Sequence, residues 1–306
     1  MSAASWIAVD WGTSNLRAWA MGADGAVLAH ARSDQGMAGL APGAHGFEPV
    51  LLDLVGGWLG KGTTQVVACG MVGSRQGWAE AGYRTVPVAP LSGEGLTRAI
   101  CHDKRIALHI VGGISQTNPA DVMRGEETQI AGLLAETPGF QGVVAMPGTH
   151  TKWVQIVDGE VFHFASFMTG ELYALLTENS VLRHSLDPKG FDQQAFLEAF
   201  SESLSHPERF AARLFTLRAQ HLLHGTDPQV AAATLSGHLL GLEIAGSKPY
   251  WLGQEIALMA SGRHAERYAA ALTEVGAPFT VYDPDACVLA GLRAAHLTLQ
   301  TASVAS

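Results

Sequence analysis

Two stretches of this 306-residue chain carry residue types suited to holding phosphate. The first, Asp10-Trp-Gly12-Thr13-Ser-Asn15-Leu-Arg17, follows the apolar run at 6–9; the second, Pro147-Gly148-Thr149-His150-Thr-Lys152, follows the apolar run at 143–146. Backbone N–H groups in a tight Gly-Thr turn can converge on phosphate oxygens, because glycine puts no Cβ between backbone and ligand. Asp10, at a strand end beside such a turn, can hold a magnesium ion that bridges nucleotide phosphates. Thr13 and Asn15 add neutral hydrogen bonds, and Arg17 adds a charge. In the second stretch Lys152 supplies a point charge for a moving γ-phosphoryl group, while His150 is either a phosphate contact or an ordinary loop histidine. Only the first stretch has an acid in this place, which assigns the metal to Asp10. Taken alone, the first stretch also reads as a polar hairpin turn; the second copy favours phosphate.

Two further segments suit an acidic acceptor. Gly70-Met-Val-Gly-Ser74-Arg75-Gln76-Gly-Trp78, continuing to Tyr83-Arg84, joins glycines to arginine, glutamine and an aromatic. An arginine fork grips a carboxylate with two hydrogen bonds, and an aromatic face covers a carbon chain. A structural arginine in a surface loop is the plain alternative. Arg124-Gly125-Glu126-Glu127 sits where a helix is predicted to begin, and there N–H groups favour anions while acidic residues complement the dipole. Capping explains both glutamates. Phosphoryl transfer also needs a carboxylate to take the proton of the attacking hydroxyl, so Glu126 is the expected base, with Asp121, Glu127 and Asp10 as competitors. Ser74, Arg75, Gln76, Trp78, Arg84, Arg124 and Glu127 form the expected acceptor side.

The elements that must position these residues follow from periodicity and turn signals. Residues 6–33 read as an antiparallel meander with a hairpin at Asp24-Gly25. A helix is expected at 47–59, strands at 66–70 and 106–111 around a loop rich in Gly and Arg, a helix at 126–136 and a strand at 143–146. Then the opening order returns: Gly12-Thr13 matches Gly148-Thr149, Arg17 falls near the place of Lys152, and Asp24-Gly25 matches Asp158-Gly159. This predicts an internal duplication. An N-terminal lobe at 1–146, which a C-terminal helix at 286–300 can join, and a C-terminal lobe at 147–306 each open with a glycine turn facing the other. Residues 172–246 read as mostly helical, followed by a strand at 250–253, helices at 255–260 and 264–274, a strand at 279–282 and a helix from about Ala286.

The composition bounds the function. With 47% apolar and 15% charged residues, the chain can bury a sizeable core, and its length predicts two domains. A net charge of −9 argues against nucleic acid or an anionic membrane as partner, so an anionic ligand must meet locally placed cations. Cys69, Cys101 and Cys287 are too far apart for a metal pair and read as buried thiols in a reducing compartment. There is no basic n-region and no apolar run of about 18 residues, so the expected location is the cytoplasm. Oligomeric state is left open, a homodimer included. The segment Gly56-Gly-Trp-Leu-Gly-Lys61-Gly has the wrong spacing for a phosphate loop and no Ser or Thr after its lysine. GxGxxG after a strand, GxSxG and HExxH are all missing, which lowers dinucleotide, hydrolase and zinc readings.

Asp10-x-Gly12-Thr13 with Gly148-Thr149 resembles the paired phosphate motifs of the sugar kinase, heat-shock protein and actin superfamily. More narrowly, the segments at 9–17, 70–78, 121–129 (Asp121-Val-Met-Arg-Gly-Glu-Glu-Thr-Gln) and 147–153 resemble the 2-dehydro-3-deoxygalactonokinase family, and the similarity runs more weakly through Ser166-Phe-Met-Thr-Gly-Glu-Leu into the C-terminal half. The resemblance implies an α/β, two-lobed ribonuclease H-like (actin-like ATPase) fold with an interlobe nucleotide cleft. It also implies ATP and Mg²⁺ as cofactors, and phosphorylation of 2-dehydro-3-deoxy-D-galactonate to its 6-phosphate in galactonate catabolism. A kinase of the same fold for another sugar acid, a nucleotide or polyphosphate phosphohydrolase and a sugar-sensing regulator are the rivals. Trp251-Leu-Gly-Gln-Glu-Ile has one glycine where the superfamily's adenosine loop has two or three, which puts adenine contacts there in doubt. Ala290-Gly291 suits either a small-residue helix contact or ordinary packing.

Overall fold

The structure, a computed structural model, describes residues 3–304, which form two compact units. The first comprises the chain as far as Phe140, Val157–His163 and the residues from Pro284 onward; the second comprises Gln141–Ile156 and Phe164–Asp283.

The first unit opens with β1 (Trp6–Trp11), β2 (Leu16–Met21) and β3 (Val27–Ser33), the expected antiparallel meander. Helix α1 (Ala44–Val55) leads to β4 (Thr64–Gly70), which pairs parallel with β1. Then come β5 (Tyr83–Thr85), β6 (Leu96–Arg98), β7 (Ile106–Val111), β8 (Gly113–Thr117), β9 (Ala120–Met123) and α2 (Glu126–Glu136). The main sheet runs β3-β2-β1-β4-β7-β6, and β5-β8-β9 form a separate small one. Strands β5, β6, β8 and β9 have three to five residues each and no clean alternation, so their sequences look like loop.

Alternation along β1 decides where its chemistry points. Ile7, Val9 and Trp11 enter a core with Phe47, Leu51 and Val55 of α1, spaced four apart as an amphipathic helix requires. Each such buried side chain contributes about 1.5–3 kcal/mol. Trp6 and Ala8 face the opposite way, into a second core with Cys69 and with Val288, Leu292 and Ala295 of the C-terminal helix. Asp10 shares that parity and ends the second face.

The second sheet opens with β10 (Gly142–Met146), β11 (Thr151–Val157) and β12 (Glu160–Phe167), which repeat the opening meander; Val157 and Glu160–His163 of these strands count with the first unit and the rest with the second. Helices α3 (Thr169–Glu178), α4 (Gln193–Ser205), α5 (Phe210–His224), α6 (Pro228–Gly246) and α7 (Lys248–Trp251) precede β13 (Ile256–Met259), α8 (Gly262–Glu274) and β14 (Phe279–Tyr282). Asp192 caps α4 by accepting from Ala195 N, and Asp227 caps α6 by accepting from Gln229 N ahead of Pro228. The sheet order β12-β11-β10-β13-β14 duplicates β3-β2-β1-β4-β7, with the fourth and fifth strands parallel to the first in both. This is the α/β ribonuclease H-like, actin-like ATPase arrangement expected.

Three expectations about this unit are corrected. The boundary at 146 would leave β10 in the N-terminal lobe, yet β10 pairs with β11 and β13 and is central to the second sheet. Residues 250–253 are not a strand: they fall on α7 and the turn after it, where Trp251 donates Nε1 to the Ile244 carbonyl at 2.8 Å. Residues 256–259 are not helical. Four consecutive buried apolar residues between two parallel neighbours make a strand whose pattern periodicity cannot separate from a buried helix.

The last helix, α9 (Pro284–Val304), belongs to the first unit and crosses α2. A Cβ on Gly291 would lie 1.8 Å from the Thr128 carbonyl oxygen, and one on Gly132 would lie 1.9 Å from that of Cys287. Only glycine lets the two backbones approach so closely, so Gly291 serves as a helix contact. Cys69 and Cys287 are buried as expected, whereas Cys101 is half-buried. Among the described residues no helix is long and apolar enough to cross a membrane.

Candidate active site

In the first unit the strand register sets Asp10 opposite Arg17 of β2 and beside Cys69 of β4. Arg17 donates to Asp10 Oδ2 from Nε at 3.1 Å and Nη2 at 2.5 Å, and its Nη1 donates to Asp285 in the first turn of α9. Burial works against the guanidinium charge, but the two carboxylates outweigh it and push the Arg17 pKa up. Asp10 Oδ1 has the Cys69 thiol at 3.7 Å. The turn after β1 is closed by Gly12 N to the Asn15 carbonyl at 2.9 Å and braced by Met37 N and Ala38 N donating to the carbonyls of Gly12 and Thr13. Thr13, Ser14 and Asn15 remain exposed at its tip.

Two glycines with positive φ draw α2 towards this carboxylate. Gly70, which ends β4 at φ 91°, leaves no room for a Cβ, which would stand 2.7 Å from the Trp11 carbonyl oxygen; Gly125, at φ 105°, packs on the Gly70 backbone. At the start of α2, Glu126 Oε2 accepts from Arg124 N at 2.9 Å and Glu127 Oε2 from Gly125 N at 2.7 Å, so both glutamates cap. Thr128 Oγ1 donates to Glu127 Oε1 at 3.1 Å. Burial, reinforced by Glu126, pushes the Glu127 carboxyl up to about 8.

Arginines line the same region. Arg124 donates Nη2 to the Ala81 carbonyl at 2.7 Å and lies 4.3 Å over the Tyr83 ring, while its Nε and Nη1 are buried without a hydrogen-bond partner. Arg84 donates to the carbonyls of Ala89 and Pro90 at 2.7 and 2.5 Å, and its Nε is likewise unpartnered. A buried guanidinium N–H without an acceptor is costly and calls for an explanation, of which an anionic ligand is one.

The other acceptor-side residues lie elsewhere. Trp78, expected to cover a carbon chain, is a core residue at 4% exposure, packed on Trp11 and Phe47 and donating Nε1 to the Ile100 carbonyl. Arg75 has an 80% exposed side chain paired with Glu80 at 3.5 Å, and Gln76 is exposed beside it. Ser74 is buried against Met37 Sδ at 3.1 Å.

In the second unit the Gly148-Thr149 turn sits against the start of α3. Glu171 N donates to the Thr149 carbonyl at 2.9 Å, and a Cβ on Gly170 would come within 2.3 Å of the Gly148 oxygen. His150 Nε2 is 2.5 Å from Glu171 Oε2, so this histidine braces the turn from outside. Lys152, 5% exposed and in register with Met146, donates Nζ to Ser166 Oγ at 2.6 Å.

Beside the turn lies a cavity of about 380 Å³ lined by Gly148, Thr149, Thr169, Gly170, Tyr173, Arg263, His264, Arg267 and Tyr268 among others. The Arg267 guanidinium lies 5.9 Å from the Tyr173 ring and 5.0 Å from that of Phe191. Burial, with Arg267 and Arg263 nearby, lowers the His264 pKa and favours its neutral form. None of these wall residues beyond the turn was a sequence candidate. The signal was a strand, β13, followed by Ser261-Gly262-Arg263 and a helix, and it disappears when β13 is read as helix.

A model of the family 2-keto-3-deoxy-galactonokinase matches residues 10–295. The chain belongs to this family. Its relatives include a probable 2-dehydro-3-deoxygalactonokinase of Rhizobium meliloti (strain 1021), 40% identical over 300 residues, with 96% of this chain and 97% of the relative covered. The 2-dehydro-3-deoxygalactonokinase of Escherichia coli (strain K12) is 35% identical over 297 residues, covering 95% and 97%. A solved crystal structure from Sinorhizobium meliloti bearing the same kinase name superposes with a TM-score of 0.87 at 39% identity, covering 95% of each chain. As a 2-keto-3-deoxy-galactonokinase family member, the chain is similar over nearly its whole length to proteins named as kinases of a sugar acid.

Proposed function

We propose that this protein transfers the γ-phosphoryl group of ATP to the terminal hydroxyl of 2-dehydro-3-deoxy-D-galactonate, giving the 6-phosphate, in galactonate catabolism. The activity named for its relatives supports the reading. The observation that carries it is the Arg124 guanidinium at the start of α2, whose buried Nε and Nη1 lack acceptors. A sugar-acid carboxylate is an acceptor of the kind those N–H groups lack.

In the first unit Arg124, with Arg84 behind it, binds the carboxylate of the sugar acid. Glu126 takes the proton of the attacking hydroxyl as its oxygen bonds to the γ-phosphorus and the bond to the β-phosphate oxygen breaks, releasing ADP. Glu127 is fully enclosed and acts through the backbone it holds. The exposed tip of the turn that Gly12 N closes, at Thr13 and Asn15, offers N–H and hydroxyl groups to phosphate. Mg²⁺ suits Asp10: among the described residues no group of three acids, histidines or cysteines could hold a metal alone, but Mg²⁺ takes one or two carboxylates and completes its shell with phosphates and water. Asp10 Oδ1 would hold it, Arg17 fixing the other oxygen, and the ion when bound neutralises phosphate charge.

In the second unit the Gly148-Thr149 turn takes phosphate oxygens and Lys152 a developing negative charge. The adjoining cavity receives the nucleoside, its base lying against Arg267, Tyr173 and Phe191. The proposed compartment is the cytoplasm, where ATP is supplied.

The test is ADP release with 2-dehydro-3-deoxy-D-galactonate set against its C4 epimer, the gluconate-derived acid. Faster turnover of the former is expected. Equal rates overturn the named specificity, and phosphate release from ATP without either acid would identify a phosphohydrolase instead.

A further inference from the structure

Beneath the Gly148-Thr149 turn lies a carboxylate that none of these steps uses. Glu243 of α6 is 2% exposed. Its Oε1 accepts from Trp153 Nε1 and Tyr268 Oη, both at 2.9 Å, and its Oε2 accepts from Tyr268 Oη at 3.0 Å and from Thr169 Oγ1. The donors come from β11, α8 and α3, three elements brought together on one carboxyl group.

An acid in this position carries a desolvation cost. Burial pushes the Glu243 carboxyl up, and the hydrogen bonds from Thr169, Trp153, Tyr268 and Thr151 only partly oppose it. Its hydrogen-bond partners are all uncharged, so no cation offsets desolvation. An apolar side chain of equal volume would avoid that cost but would leave three buried donors without this acceptor. What the carboxyl adds is acceptor capacity: two oxygens hold three donors in single rotamers at once.

Two of those donors, Thr169 and Tyr268, also wall the cavity beside the turn. Thr169 is the first residue of α3, and two residues later Glu171 N holds the Thr149 carbonyl at 2.9 Å. We infer that Glu243 is a positioning residue for the nucleotide: by holding Thr169 and Tyr268 it fixes the first turn of α3, and through it the Gly148-Thr149 turn, without touching either substrate. The inference rests on the proposed nucleotide role of that turn and cavity.

Steady-state kinetics on the full chain with ATP and the sugar acid varied separately, beside thermal unfolding, test it through Glu243→Gln, Glu243→Met, Thr169→Val and Arg267→Ala. Thr169→Val keeps the shape of the side chain and removes only the link to α3, so it decides the matter if a Glu243 variant fails to fold. Expected is a rise on the order of tenfold in KM for ATP for Thr169→Val and Glu243→Met, the scale of one hydrogen bond to a charged group. KM for the sugar acid should stay within about twofold, with Glu243→Gln closer to the parent. A purely structural role would lower the melting temperature and leave the KM for ATP of the folded fraction unchanged. If Arg267→Ala raises KM for ATP while the Glu243 and Thr169 variants do not, the positioning role is wrong and the nucleotide reading stands. If Arg267→Ala also leaves it unchanged, the nucleotide reading itself fails and this inference falls with it.

Discussion

Arg17 places Nε and Nη2 on a single carboxylate oxygen of Asp10, at 3.1 and 2.5 Å, and leaves the other oxygen facing Cys69. The arginine therefore orients the carboxylate proposed to hold Mg²⁺ and, so engaged, need not meet phosphate itself. Asp10→Asn should remove turnover, whereas Arg17→Ala should lower activity or Mg²⁺ affinity by about 10–100-fold, as loss of a partner behind a metal ligand does. Mg²⁺ titration of the rate separates the two: saturating Mg²⁺ should restore the Arg17 variant in part and the Asp10 variant not at all.

Arg124 is enclosed with two unpartnered N–H groups, whereas Arg75 is solvent-exposed and paired with Glu80, so the proposed acceptor side is tested on these two arginines. Losing a hydrogen bond to a charged group costs about 1.5–3 kcal/mol, so Arg124→Ala should raise KM for the sugar acid by roughly 10–100-fold and leave that for ATP within about twofold. Arg75→Ala should leave both near the parent value. The reverse result would return the carboxylate to the loop after β4.

Glu127 makes stability depend on pH in a defined direction. Its folded-state pKa, about 8, lies above its ordinary value of 4.5. Between those values the folded protein holds a proton that the unfolded chain has released. The stability present below the lower value is thus lost as pH rises towards the upper one, with a limiting slope of about 1.4 kcal/mol per pH unit. Melting temperatures from pH 5 to 9 should show a flatter decline for Glu127→Gln than for the parent. Parallel curves would mean that Glu127 is ionised in the fold.

Gly291→Ala should be strongly destabilising for its size. Its Cβ would meet backbone, the Thr128 carbonyl at 1.8 Å, which no rotamer change relieves. Overpacking of this kind costs about 1–3 kcal/mol, occasionally more. Thermal unfolding measures it, and a melting temperature equal to the parent's would mean that α9 can slide on α2 without loss.

Much of this was legible in the chain itself. The meander through Asp24-Gly25, its repetition around Asp158-Gly159 and the placing of Asp10 at a strand end follow from period-two alternation and turn chemistry, which act over a few residues. The helix at 126–136, the same bounds as α2, follows from its periodic face and from the Pro-Gly pair beyond it. Local signals of this kind survive folding because neighbours in sequence remain neighbours in space.

Other features were decided by residues far apart in sequence. Trp78 looked like a ligand's aromatic cover, yet Trp11 and Phe47 enclose it, and nothing near position 78 announces them. Residues 256–259 became a strand because β10 and β14 flank them on either side. Arg124 became notable only when the fold enclosed two of its N–H groups without acceptors, and Glu243 only when β11, α3 and α8 brought donors to it. Read alone, the chain carries the family, the two Gly-Thr turns and the single acid beside the first. Which arginine is enclosed, where a cavity opens and which buried carboxyl holds its wall were settled by tertiary structure, since burial and hydrogen-bond satisfaction depend on every element packed around a residue.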